Sequence, residues 1–425
     1  MTQNLARPPI PAVVQQHAEE SAMLRHIRSV LVRAPHVRLR HLRRLDDRIA
    51  AHLDGLAVAG AYGTALCAAA LERPGAGEVF ALAVRAIDER DDAQLDRLAA
   101  LAALLPDARR GLLSAFGWVS AADLQGVVRA LLGSGDPLRR ALGVGACRLH
   151  GVDPGPVLRA AARDDDPALR ASAWRAAGDL GRVDLLAEAA AAMADADPEV
   201  AWRATVAACL LGERGRAGEA LEAMAERPGP WRDEAAHWLL LAADFERGCE
   251  LVRRLAKSGA PDAAHKRRVI RACGVLGDPR YVPWLVECMR DDALARIAGE
   301  SFSTITGADL AALDLERHPP EGFVSGPTDD PEDDDVALDE DESLPWPDVP
   351  RVQAWWEHNA AALPAGRRCF VGAPDTPGHC AGVLREGVQR QRILAARLRA
   401  LQAPQATMFP VCAPAWRQER LLRGA

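Results

Sequence analysis

The sequence predicts an all-α protein, an α-solenoid of stacked helix pairs with helical regions at both ends. Hydrophobic residues make up 49% of the 425 residues, but aromatic residues only 4%. Ala and Leu carry most of this hydrophobicity, which favours helices over strands. Prolines that precede helical stretches recur about every 31 residues, and Asp and Gly mark the two ends of those stretches.

The stretch at residues 164–181 shows the local pattern most clearly. Asp166 is predicted to cap a helix, because its carboxylate can accept a bond from a free backbone N–H. Pro167 fits the first helical position, where a missing N–H costs nothing. Gly181 suits the turn that follows the helix. A capped helix is therefore predicted between Asp166 and Gly181.

The same pattern returns along the chain at a fixed interval. The prolines that mark it are Pro74, Pro106, Pro137, Pro167, Pro198, Pro230 and Pro261. The next unit is due near residue 292, where the chain has no proline. Each unit reads as a helix, a glycine turn, a second and shorter helix, and an acidic turn. One such unit cannot bury its apolar stripe alone, so the units are predicted to stack on one another.

Large and sulfur-containing residues within the units are predicted to be buried. Tryptophans on the helical stripe are expected in the core, with a partner-binding role as the alternative for any that face outward; they are Trp174, Trp202, Trp238 and Trp284. The nine cysteines form no CxxC pair. We expect Cys147, Cys209 and Cys273 to be small buried residues rather than disulfide or metal ligands.

The opening of residues 164–173 resembles HEAT repeats, in particular the short HEAT-like type first described in phycobilisome lyases. The matching residues are Asp164, Asp166, Pro167, Leu169, Arg170 and Ala173. The resemblance covers residues 74–307. It implies the solenoid architecture and says almost nothing about activity.

Both ends of the chain resemble a proteobacterial family of HEAT-like proteins of undefined activity, often encoded among type VI secretion genes. The resemblance rests on short motifs spread along the chain: Leu45, Asp46 and Arg48; Asp54, Gly55 and Leu56; Gly299, Thr306 and Gly307; Trp355 and Trp356; Gly366, Arg367 and Gly372; Ala415, Arg417 and Gln418. It implies an accessory role beside a secretion machine and no particular reaction.

Four regions are expected. Residues 1–60 form an arginine-rich helical region, 61–318 the repeats, 319–350 an acidic, proline-containing linker, and 351–425 a C-terminal helical region. The acidic run has ten acids within residues 329–342. Such a run repels itself and buries little apolar surface, so a linker is predicted. A strap that docks on a basic surface, with Trp346 as an anchor, is the alternative.

The arginine-rich residues 25–53 allow two interpretations. Their arginines belong to a solvated helical face or pair with acids elsewhere, or they form a surface for an anionic partner such as nucleic acid. The net charge of −7 argues against general nucleic-acid binding. No run of about 18 apolar residues occurs, and the first residues lack the apolar core of a signal peptide. A cytoplasmic protein with no membrane partner is expected.

The sequence offers little support for a catalytic or metal-binding site. No P-loop, G-x-S-x-G or H-E-x-x-H pattern occurs. The neighbours His379 and Cys380 do not make a catalytic dyad by adjacency alone, and His36 and His41 lack an acidic third metal ligand at suitable spacing. We therefore expect no metal, no cofactor and no enzymatic activity. The alternative is an enzyme of the lyase or base-excision kind, since both occur on HEAT-like scaffolds.

The function expected is protein binding by a preformed surface. In solenoids of this kind the second helix of each unit usually lines that surface. Candidate contacts are therefore Arg159, Arg163, Glu188, Glu219, Glu222, Arg253 and Arg254, with mixed charge. Trp355 and Trp356 are further candidates, because adjacent tryptophans on a helix point about 100° apart. One is expected in the core, and the other covers a neighbouring helix or the acidic run, or else binds a partner. By the family resemblance, the partner is a type VI secretion component or an effector.

Overall fold

The computed structural model describes residues 8–258, 262–323 and 339–424. Within them the chain forms 22 α-helices, four short 3₁₀ helices and one two-stranded sheet. The protein is therefore all-α, as predicted.

The α-helices are, in chain order, α1 (Pro11–Leu31), α2 (Leu39–Val58), α3 (Ala61–Ala69), α4 (Ala76–Glu89), α5 (Asp92–Leu104), α6 (Pro106–Trp118), α7 (Val127–Leu132), α8 (Pro137–His150), α9 (Pro156–Ala161), α10 (Pro167–Asp179), α11 (Leu186–Ala192), α12 (Pro198–Leu211), α13 (Arg216–Glu226), α14 (Arg232–Ala242), α15 (Phe245–Lys257), α16 (Ala263–Leu276), α17 (Val282–Cys288), α18 (Asp292–Thr306), α19 (Val349–Asn359), α20 (Pro377–Glu386), α21 (Gln389–Gln402) and α22 (Ala415–Arg423). The 3₁₀ helices are Ala70–Glu72, Val183–Leu185, Pro279–Tyr281 and Ala360–Ala362. Strands β1 (Glu316–Arg317) and β2 (Trp346–Pro347) pair antiparallel.

Helices begin at the predicted interval. α10 begins at Pro167, after Asp166, whose Oδ1 accepts the backbone N–H of Leu169 at 2.8 Å. Gly181 follows that helix with a φ of +67°. The unit expected near residue 292 begins at α18, where Asp291 accepts the N–H of Ala293 at 3.1 Å. The capped helices and the unit that lacks a proline are thus confirmed.

Two compact units divide the chain. Unit 1 comprises Met1–Arg33, Val37–Ala207 and Gln405–Ala425, and unit 2 comprises Ala34–His36 and Ala208–Pro404. The division falls within α12 and places the last residues of the chain in unit 1. These boundaries differ from those of the four regions expected from the sequence.

In unit 1 the first helices of successive pairs pack in chain order. α1 packs against α4, α4 against α6, α6 against α8, and α8 against α10. The hydroxyl of Ser172 on α10 donates to the carbonyl of Ala141 on α8 at 3.3 Å. Arg148 on α8 pairs with Asp179 on α10 at 3.0 Å. Neighbouring pairs are therefore joined by polar contacts between residues 31 positions apart.

In unit 2 a separate set of first helices also packs in chain order. α14 packs against α16 and α16 against α18, while α13, α15 and α17 pack beside them. The hydroxyl of Ser301 on α18 donates to the carbonyl of Ile270 on α16 at 3.0 Å. This bond also spans 31 residues. Trp346 on β2 is buried.

Segments near the C-terminus bond the last carbonyls of first helices, which have no partner within their own helix. In unit 1 the N–H of Met408 donates to Asp179 at 2.8 Å, and Arg417 donates to Val119 at 2.9 Å. In unit 2 Arg368 donates to the carbonyls of Leu241 and Leu276 at 3.2 and 3.3 Å, and the N–H of Cys369 donates to Gly277 at 2.7 Å. Each unit thus has its own terminal segment across the helix ends.

Three of the four stripe tryptophans are buried as predicted: Trp174, Trp202 and Trp238. Trp284 is 39% exposed, so its assignment to the core was wrong. Cys147, Cys209 and Cys273 are buried free thiols, which confirms their assignment.

Among the described residues no single helix has the length and low charge of a membrane span. Together, α2 and the segment formed by α3 and the following 3₁₀ helix have the length and composition of a span, but the two segments are bent by 115° relative to each other.

Candidate partner-binding surfaces

Second helices of unit 1 bring three of the candidate residues together. Arg159 on α9 pairs with Asp184 at 2.9 Å and with Glu188 on α11 at 3.3 Å. Arg163, one turn further along, reaches the same Glu188 oxygen at 3.3 Å. A hydrogen bond from Arg182 lowers the pKa of Asp184, so this carboxyl group is held ionised. The result is a half-exposed row in which basic and acidic side chains alternate.

Second helices of unit 2 repeat this arrangement. Glu222 on α13 accepts from Arg247 on α15 at 2.8 Å and also contacts Arg254. Glu219 and Arg253, the other candidates in this unit, are exposed. The spacing of 25 residues between Glu222 and Arg247 equals that between Arg163 and Glu188. Pairing between consecutive second helices is therefore a feature of both units.

Exposure limits what these ion pairs contribute to stability. An ion pair at a protein surface typically contributes about 0–1 kcal/mol, because water screens it and the side chains lose freedom. The pairs nevertheless hold their side chains in defined positions. We refer to the candidate residues of unit 1 as the unit 1 row (Arg159, Arg163, Glu188) and to those of unit 2 as the unit 2 row (Glu219, Glu222, Arg253, Arg254).

The tryptophan pair of α19 is half-buried at both positions. Trp355 packs edge-on against Phe302 of α18, with ring centroids 5.6 Å apart. Its carbonyl accepts from the side chain of Asn359 at 2.7 Å. Trp355 is thus tied to the fold of unit 2.

Arginines of the N-terminal region are largely engaged within unit 1. Arg28 pairs with the fully buried Asp46 at 2.5 Å, and Arg43 pairs with Glu419 at 2.9 Å. Arg25 donates to the hydroxyl of Ser114 at 2.6 Å. These contacts correspond to the interpretation in which the arginines pair with groups elsewhere in the fold.

Geometry at His379 and Cys380 does not form a nucleophile and base. The imidazole Nε2 of His379 lies 2.7 Å from the carbonyl oxygen of Phe370, and the thiol of Cys380 lies 3.7 Å from the carbonyl oxygen of Asp375. Burial raises the pKa of Cys380 to about 11, so it is a thiol rather than a thiolate at neutral pH.

Ligand-forming groups are not clustered in the part of the chain that the structure describes: no set of three or more His, Cys, Asp or Glu side chains is placed to hold a metal ion. His36 is exposed, and Nδ1 of His41 accepts the N–H of Arg38 at 3.2 Å.

A pocket of about 260 Å³ lies among α1, α3 and α4 in unit 1. Its wall consists mainly of small apolar residues, and Glu19 and Glu78 also line it. Cys67 lines it as well, and burial raises the pKa of that thiol to about 11.

Residues 329–338 of the acidic run lie outside the described residues. Its last acids lie on unit 2. Asp341 pairs with Arg267 at 2.5 Å, Glu340 with Arg271 at 2.9 Å, and Asp339 with Arg296 at 2.6 Å. Sequence reasoning named a basic docking surface as an alternative but missed these arginines, which are spread over α16 and α18.

Motifs that carried the family resemblance lie together in space within each unit. In unit 1 the carboxylate of Asp46 accepts the N–H of Ala415 at 2.7 Å. In unit 2 the N–H of Gly372 donates to Ile305 at 3.0 Å, next to Thr306 and Gly307. These motif residues are therefore structural contacts of the terminal segments, a role that the sequence patterns alone did not reveal.

Comparison of the chain with models of known protein families, with characterised proteins and with solved structures finds no match. The HEAT-like resemblance and its link to type VI secretion therefore remain predictions.

Proposed function

We propose that this protein is a non-enzymatic protein-binding scaffold whose helix pairs form a HEAT-like α-solenoid within each unit. It would act in the cytoplasm as an accessory to type VI secretion, holding a component or an effector. The observation that carries the proposal is the ordered pairing of charges between consecutive second helices in both units. Serial packing of the first helices supports the solenoid.

Preformed surfaces bind with a small ordering cost, because the interacting side chains are already held in place. Arg163 and Glu188, or Glu222 and Arg254, supply both signs of charge within one row. A partner with complementary charges exchanges weak surface pairs for intermolecular ones. Such complementarity sets partner choice and association rate more than raw affinity.

The direct test is charge reversal in each row. Arg253→Glu/Arg254→Glu alters the unit 2 row, and Arg159→Glu/Arg163→Glu alters the unit 1 row. Control variants are Arg290→Glu and Arg110→Glu, which reverse exposed arginines that each pair with an acid three residues earlier. Each tagged protein is used to isolate partners from the native cell, and the recovered proteins are identified and rebound in purified form.

Purified partner should bind wild type and both controls equally. Reversal in the row that forms the contact should weaken binding by about tenfold or more. Equal binding by all five proteins would remove the rows from the interface. Recovery of nucleic acid, with steep loss of binding as salt is added, would favour the alternative of an anionic partner at the N-terminal arginines.

A further inference from the structure

Residues 339–341 reach unit 2 as a short non-helical stretch held mainly by side-chain contacts, and we call them the acidic strap. The guanidinium of Arg267 donates to both carboxylate oxygens of Asp341, at 2.5 and 2.7 Å. Arg296 donates to Asp339 at 2.6 Å and to the backbone carbonyl of Asp341 at 3.1 Å. The two arginines therefore hold two carboxylates that are two positions apart in the chain, and Arg296 also holds the backbone carbonyl of Asp341.

The middle carboxylate of the strap is held differently. The side chain of Glu340 is 69% exposed, whereas that of Asp341 is 5% exposed. Glu340 pairs with Arg271 at 2.9 Å and with Arg267 at 3.4 Å. A hydrogen bond from Arg271 lowers the pKa of Glu340, so this carboxyl group is held ionised near neutral pH.

A separate anchor keeps the strap near its arginines. Leu344 and Trp346 are buried, and β2, which begins at Trp346, pairs with β1. The guanidinium carbons of Arg296 and Arg317 lie 4.7 and 5.2 Å from the Trp346 ring, within cation–π distance. The burial of Leu344 and the pairing of β1 with β2 involve none of the three acids.

We propose that Arg267, Arg271 and Arg296 form a binding site for an acidic protein segment, and that the strap occupies this site in the free protein. The partner segment presents carboxylates two positions apart in a turn, as Asp339 and Asp341 do. Recognition of that kind uses bidentate arginine bonds, which select carboxylate geometry.

Competition follows from the anchor. Because Trp346 holds the strap close to the arginines, the strap has a high effective concentration at the site. A partner segment binds only if its own concentration and affinity are high enough to displace the strap. The charged rows of the second helices are a different surface from the arginine site under the strap, so this inference does not rest on the proposed function.

The test uses the full chain and a fluorescent, N-acetylated peptide with the sequence of residues 339–344. Asp339→Asn/Glu340→Gln/Asp341→Asn removes the charges of the strap but leaves Leu344 and Trp346. Arg267→Gln/Arg271→Gln in that background removes two of the three arginines and keeps Arg296, which also packs on Trp346. A peptide with amides in place of its acids is the matched control probe.

Neutralising the strap should increase affinity for the acidic peptide by about tenfold or more over wild type, since the internal competitor is lost. The gain should disappear with Arg267→Gln/Arg271→Gln, with added salt, and with the amide peptide. A folded neutral-strap variant that binds no better than wild type would overturn the proposal. So would a gain that persists without Arg267 and Arg271, or binding of duplex DNA in place of the peptide.

If the neutral-strap variant fails to fold, hydrogen exchange of the wild-type protein tests whether acidic peptide displaces the strap. The N–H of Leu344 donates to Asp341 at 3.0 Å and that of Glu342 to Asp339 at 3.1 Å. Acidic peptide at about 10 mM should speed exchange at these amides by at least severalfold as the strap is displaced. Unchanged exchange at that concentration would contradict displacement.

Discussion

The buried carboxylate of Asp46 on α2 accepts the backbone N–H of Ala415 at 2.7 Å, although 369 residues separate them. Arg28 on α1 pairs with the same carboxylate at 2.5 Å and donates to the carbonyl of Ala413 at 2.9 Å. One carboxylate thus joins two N-terminal helices to the segment that begins α22. Its position inside unit 1 makes it a structural centre of that unit.

Replacing this carboxylate should destabilise unit 1. Asp46→Ala leaves Arg28 without its buried partner, which typically costs about 3–5 kcal/mol. Asp47→Ala is the matched control, because Asp47 is exposed and pairs with Arg43 at the surface, where about 0–1 kcal/mol is at stake. Urea unfolding followed by tryptophan fluorescence measures both. Equal midpoints for the two variants would show that Asp46 does not hold the segment.

Arg368 should stabilise unit 2 by bonding helix ends. Its side chain donates to carbonyls at the ends of α14 and α16, so Arg368→Gln should lose about 1.5–3 kcal/mol for bonds made by a charged donor. Arg367→Gln is the neighbouring control, since Arg367 is exposed. Hydrogen exchange should show faster opening of the last turns of α14 and α16 in Arg368→Gln. Unchanged protection there would contradict the assignment.

The histidine pair of α1 and α2 predicts a loss of stability in mild acid. The Nδ1 atoms of His17 and His52 lie 3.1 Å apart, so one of them carries the shared proton. Burial, followed by His17 and Arg48, lowers the pKa of His52, and nearby Glu20 opposes this. The folded pKa lies below the unfolded one, so the contribution is complete above about pH 6.5 and declines as pH falls through that value.

His52→Gln should therefore flatten the dependence of unfolding free energy on pH between about pH 7.5 and 5.5. His26→Gln, at an exposed position on α1, serves as the control and should leave the slope unchanged. Urea midpoints at three pH values provide the measurement. A wild-type slope that survives in His52→Gln would place the titrating group elsewhere.

Thiol accessibility separates one cysteine from the others. Cys412 is the exposed cysteine, whereas seven are buried and Cys288 is half-buried. Burial raises the pKa of Cys288 to about 11, which further slows its reaction. A disulfide reagent should therefore titrate about one thiol quickly in the folded protein and all nine in denaturant. Cys412→Ser should abolish the fast phase, and its persistence would show that another thiol is accessible.

Local signals in the sequence predicted the helix starts well, because capping acts within a few residues. Asp166 and Asp291 each bond an N–H two or three residues away, so periodic Asp and Gly residues were sufficient to place α10 and even α18. The same spacing also predicted that small residues on the helical stripe are buried. The exposed Trp284 shows the limit of that reasoning, since a stripe pattern does not say whether another element covers a given position.

Distant contacts were not predictable in this way. The bonds of Asp46 to Ala415 and of Arg368 to Leu241 join residues with no shared period. Nor does charge composition say which of many arginines meets which acid. The residues of the two rows could be proposed from the helix order, but their mutual pairing, and the arginines beneath the strap, depend on how neighbouring helices are aligned.

Glycine at the end of α16 provides a matched test of the terminal segment in unit 2. Gly277 and Gly151 each follow a first helix in the left-handed conformation, with φ of +77° and +66°. A Cβ at Gly277 would lie 2.4 Å from the carbonyl oxygen of Cys369, whereas at Gly151 the nearest atom, on Thr407, lies at 3.5 Å. Gly151→Ala should therefore cost only the backbone term, about 1–2 kcal/mol.

Gly277→Ala should cost that amount plus about 1–3 kcal/mol for the overlap with Cys369, because the backbone there must move. Displacing residue 369 also strains the bond between its N–H and the carbonyl of Gly277. Urea unfolding compares the two variants, and hydrogen exchange at Cys369 and Val371 locates the effect. Equal losses at the two glycines would mean that the segment does not press on the end of α16.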